Sequence, residues 1–108
     1  MPNGDDRNWV RVCAAIDGFR ARYGRWPIRV RMSAGDLKDI RQHVLSRQGF
    51  ALVTSVVELL ADDGASFIAE GLESESYNYG QEGFPRPEPD ETAAAWFGQA
   101  ILRPDLQG

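Results

Sequence analysis

At Pro27 the spacing of apolar residues changes from about 3.6 to 2, and that change sets what this chain can build. Upstream, Trp9, Val12, Cys13, Ile16, Phe19 and Tyr23 recur every three or four residues, the stripe of an amphipathic helix over about Arg7–Tyr23. Asp5, Asp6 or Asn8 can cap its first turn, and Gly24 suits a left-handed C-terminal residue. Pro27 forbids helical continuation and pushes Trp26 into an extended conformation. Downstream, Ile28, Val30 and Met32 alternate with Arg29 and Arg31, which predicts a half-buried strand over Trp26–Met32. The apolar residues, with Trp26 by parity, turn inward. The arginines, joined by Arg25 if the strand reaches it, turn outward.

The segment "SAGD" then reads as a capping box, with Ser33 at the N-cap and Asp36 three residues on. The helix it opens points Leu37, Ile40 and Val44 inward. Residues 46–61 admit both periods: Phe50, Val53, Val57 and Leu60 fit a helical face, while Val53, Thr54, Val56 and Val57 favour extension. Because "DDGA" follows directly and resembles a hairpin turn, the reading adopted is a short helical turn and then a strand over residues 55–61. "SFIAEGL" and "ESYNYG" complete an antiparallel meander.

The fold expected is therefore α+β: a small, mostly antiparallel sheet of three or four strands packed against two helices. Residues 1–80 form this domain. Residues 81–108 form a Pro-rich linker and a short terminal helix, packed back on the domain or on a partner. "GQEGFPRPEP" is the extended linker, Asp90 the cap, and Ala93, Trp96, Phe97 and Ile101 one side of the helix. A chain of 108 residues can bury one core without staples.

Charge is divided unevenly. Residues 1–54 carry ten Arg or Lys against five Asp or Glu, whereas residues 55–108 carry two against eleven, so +5 faces −9 and the net is −4. Three arginines at alternate strand positions lie about 6.6 Å apart and can track phosphates. Trp26 beside them is a stacking group of the kind single-stranded nucleic acids use. The opposing reading pairs Arg25, Arg29 and Arg31 with Glu70, Glu73 or Glu75 across the sheet. It is preferred, because the acidic half would repel the ligand the arginines attract.

Little else carries chemistry. Cys13 and His43 are the one nucleophile–base pair on offer, but Cys13 falls on the apolar stripe and His43 beside one. One Cys and one His match no zinc pattern, "DDGASFIAE" lacks the alternating ligands of a calcium loop, and no glycine-rich phosphate loop occurs. No cofactor is expected. The longest apolar run, "FALVTSVVELLA", is too short and too polar to span a membrane. A lone cysteine and no visible leader fit a cytoplasmic protein.

What remains is a non-enzymatic interaction or regulatory accessory module whose partner is another protein or a second copy. A nucleic-acid binder is the alternative, and a small Cys/His enzyme the third reading. The candidate binding residues are Arg25, Trp26, Arg29 and Arg31, Tyr77 and Tyr79 on one strand face, and Trp96 and Phe97 on the terminal helix.

Overall fold

The computed structural model describes residues 7–85 and 92–98. Helix α1 spans Arg7–Tyr23 and buries Trp9, Val12, Cys13, Ile16 and Phe19, the stripe read from the sequence. Gly24, at φ +75°, ends it by donating its N–H to the Arg20 carbonyl at 2.8 Å. Of the expected caps, Asp5 and Asp6 lie outside the described residues, and Asn8 falls inside the helix, where its side chain donates to Asp39 and accepts from Arg11.

After Pro27 the chain is extended, and strand β1 runs over Arg29–Met32 with Val30 and Met32 fully buried. Ile28 departs from the expected inward set: its side chain stays 39% exposed, although its backbone already pairs with Glu58 and Glu70. It sits one rung before the regular strand, and Pro27 is buried instead. Ser33 caps helix α2, Ala34–Asp39, by accepting the Asp36 N–H at 3.1 Å. The helix widens into a π-helical turn, Ile40–Val44, closed by the Leu45 N–H on the Ile40 carbonyl. Ile40, Val44 and Leu45 all reach the core.

Residues 46–61 divide differently from the sequence reading. Ser46 caps helix α3, Arg47–Val56, and strand β2 is only Glu58–Ala61. The hydroxyls of Thr54 and Ser55 donate to helix carbonyls one turn back, so residues expected to favour extension decorate a helix end instead. Val53 and Val57 are both fully buried. Burial and the Ser46 cap outweigh β-branched propensity here.

The sheet is completed by β3, Ser66–Glu70, and β4, Ser76–Asn78, in the order β2-β1-β3-β4. The α+β class stands, but the sheet is mixed rather than mostly antiparallel: β1 and β2 are parallel, and β3 is antiparallel to both β1 and β4. Residues 62–65 therefore make no hairpin. They carry the chain past the end of β1, because the α2–α3 crossover has already placed β2 beside it in parallel.

The pairing register sorts the side chains by face. The rung Leu59–Val30–Ala69–Tyr77 is buried and faces the core. The rungs on either side, Glu58–Arg29–Glu70–Ser76 and Leu60–Arg31–Ile68–Asn78, point the other way and remain half-buried or exposed.

Tyr79 is not on β4. It opens a single helical turn, α4 (Tyr79–Glu82), that takes the end of the expected strand and the start of the expected linker, and Gly83 ends that turn at φ +74°. The last described helix is α5, Ala93–Phe97, capped by Thr92 rather than by Asp90. The remaining linker, residues 86–91, and Ile101 lie outside the described residues.

Candidate functional site

Of the sequence candidates, the arginines come first. Arg29 and Arg31 project from the outer face of β1, and antiparallel pairing sets Glu70 of β3 directly opposite Arg29. Glu70 accepts from Arg29 at 3.3 Å and from Arg31 at 2.8 Å. Arg31 also grips Asp62, just beyond β2, and Arg25 pairs with Glu75. Arg22, on α1, reaches Glu82 on α4. Hydrogen bonding to Glu70 is the main cause of a raised Arg31 pKa, partly opposed by desolvation. In the same way Arg22 holds the Glu82 carboxyl below its ordinary value. Glu73, another expected partner, is exposed in the β3–β4 turn at φ +60° and forms no ion pair among the described residues. Each expected phosphate ligand is thus already committed to a carboxylate of the acidic half.

The aromatic candidates separate into two groups. Trp26 meets Trp96 and Phe97 at ring separations of 5.3 and 5.6 Å, and Phe97 lies 5.6 Å from Trp9. The Arg20 guanidinium covers Trp26 at 4.7 Å. Phe97 is buried, whereas Trp96 stays 45% exposed at the edge of this cluster. Tyr77 is structural: its ring fills the space beside Gly18, and its hydroxyl donates to the Gly83 carbonyl at 2.7 Å. Tyr79, half-buried, stands edge-on between Phe67 and Phe84.

Sequence reasoning missed a hollow of about 240 Å³ between α1 on one side and Phe84, Pro85, Thr92 and Ala94 of α5 on the other. Trp9, Val10 and Ala14 line it from α1, and Phe84, Pro85 and Ala94 from the C-terminal side. Asp17 belongs to the same wall; its Oδ1 accepts the Ala93 N–H at 2.8 Å and lies 3.4 Å from Arg20. Val10 and Phe84 keep 45% and 61% of their surface exposed. One signal was present: Val10 stands off the apolar stripe of α1, between Arg7 and Arg11, where a solvated face calls for a polar residue.

Cys13 also borders this hollow, but burial, aided by the negative charge of Asp17, pushes its thiol far above the ordinary range. His43 lies exposed on the π-helical turn. A thiolate nucleophile has no support at Cys13. Among the described residues no group of three or more acidic, His or Cys side chains is placed to hold a metal ion, and no helix is long and apolar enough to cross a membrane. Comparison with protein-family models, with curated proteins and with solved structures found no significant match.

Proposed function

We propose that this chain is a non-enzymatic protein-interaction module of regulatory or accessory type. Its contact point is the hollow between α1 and α5, which receives a large aliphatic or aromatic side chain from a partner protein. The observation that carries this reading is the exposure of Val10 and Phe84 on the rim of one apolar depression. Interfaces concentrate their energy where a bulky anchor enters such a depression and sheds its water.

The nucleic-acid reading loses its main support. Its affinity would come from guanidiniums free to displace counterions, and Arg25, Arg29 and Arg31 are held by Glu75, Glu70 and Asp62.

The test begins with capture from the native host using the wild type and two surface variants, Val10→Glu and Phe84→Ser. The captured protein is then purified and titrated directly. Binding weakened at least ~10-fold by either substitution, the scale of losing one anchor contact, supports the reading. A purified partner that binds both variants as tightly as the wild type overturns it. So does salt-sensitive binding of single-stranded nucleic acid with no protein partner.

A further inference from the structure

A second hollow, of about 390 Å³, shares no lining residue with the apolar one. It opens at the end of the sheet where β1, β2 and β4, which run in the same direction, finish. The residues following those strands, Ser33, Asp63 and Tyr79, meet there with Asp36 of α2, Phe67 of β3 and Arg11 of α1. The carboxyl end of parallel strands is where open sheets gather the backbone and loop groups that hold small ligands.

The charges in this hollow differ from those on the outer sheet face. Arg25, Arg29 and Arg31, and Arg22 on α1, each touch a carboxylate, whereas among the described residues the Arg11 side chain donates to the Asn8 amide oxygen at 3.2 Å and forms no ion pair. Asp36, which lines the same hollow, uses its N–H in capping, but its carboxylate takes no hydrogen bond or ion pair among the described residues. Asp63 spends one oxygen on the Ala34 N–H at 3.1 Å. A cation and two carboxylates therefore line one cavity without closing on each other. Phe67 and Tyr79, edge-on at 6.4 Å, add aromatic surface to the same lining. A slip in the β1–β3 register, which pairs Met32 with Ser66 and leaves Phe67 unpaired at φ +62°, fixes that ring in place.

We infer that this hollow binds a small zwitterion, a free α-amino acid with an apolar side chain. Its carboxylate meets the fork of Arg11, its ammonium meets Asp36 and Asp63, and its side chain lies against Phe67 and Tyr79. A planar guanidinium accepts a carboxylate in bidentate fashion, and an ammonium with three donors suits two carboxylates. A volume of this size lies in the range of small-molecule sites.

The experiment is a titration of the whole chain followed by amide NMR shifts, with L-leucine and L-phenylalanine as probes. Each is compared with its N-acetyl derivative, which lacks the ammonium, and its amide, which lacks the carboxylate. Saturable shifts at Ser33, Asp36, Ser66 and Tyr79, weakened at least tenfold by either block, support the site. Arg11→Gln and Asp36→Asn should each abolish saturation while the amide spectrum outside the hollow stays that of the folded wild type, which separates loss of the site from loss of the fold. Absence of saturable shifts for both amino acids overturns the inference. Equal shifts by the blocked derivatives also overturn it, because they reduce the hollow to an apolar groove. Neither result bears on the hollow between α1 and α5, which shares none of these residues.

Discussion

Gly18 lies in the buried middle of α1 because the Tyr77 ring occupies the place where a side chain would begin. A methyl group there would overlap the ring, and β4 cannot yield without disturbing the Tyr77 hydroxyl bond to Gly83. Replacing Gly by Ala normally favours a helix by about 0.5–1 kcal/mol. Here the sign reverses. Gly18→Ala is expected to destabilise the protein by about 1–3 kcal/mol, the range for overpacking a filled core, read from the urea midpoint at constant slope. A rise in stability would mean that Tyr77 does not pack on α1. Phe67 is constrained in another way, since a non-glycine residue at φ +62° within a strand costs on the order of 1–3 kcal/mol. The buried ring and its contact with Tyr79 oppose that cost.

Helix α5 has five residues, too few to persist alone, so its attachment to α1 keeps it in place. It is held by Phe97 on Trp9 and Trp26, Trp96 on Trp26, and the Ala93 N–H on the Asp17 carboxylate. Asp17→Ala leaves that buried N–H without an acceptor and is expected to cost about 1–3 kcal/mol. Asp17→Asn retains an acceptor oxygen and should cost less. Denaturant unfolding followed by tryptophan fluorescence compares the two, and equal losses would deny the hydrogen bond its role. At this scale the sequence was partly legible. The stripe of α1, the Ser33 cap and the alternation of Val30 and Met32 with Arg29 and Arg31 are local patterns, and each recurs in the structure. The boundary between α3 and β2 was missed because Val53, Val56 and Val57 serve either period, and long-range burial decides. The parallel partner of β1 was missed for a related reason: "DDGA" imitates a hairpin, and only the α2–α3 crossover shows that β2 cannot turn back on β3. Nor does any local pattern announce a depression shared by Val10 and Phe84, 74 positions apart.

For the whole molecule, the uneven charge of the two halves is resolved by folding. The basic half supplies α1 and β1, the acidic half supplies β2, β3 and α4, and the sheet order sets β1 between β2 and β3. Arg29 and Arg31 thereby fall among Glu58, Glu70 and Asp62 on the outer face. Such pairs are individually weak when part-exposed, about 0.2–1 kcal/mol each. In the proposed reading they also matter because a guanidinium paired with a carboxylate must give up that pair before it can take a phosphate. That engagement is our ground for proposing a protein partner rather than nucleic acid. A double-mutant cycle on Arg31→Ala and Glu70→Ala, measured by urea unfolding at low and high salt, tests it most directly. The expected result is a coupling of about 0.5–1 kcal/mol at low salt that shrinks as salt is added. Additivity at both salt concentrations, together with single-stranded nucleic-acid binding that Arg31→Ala abolishes, would contradict it.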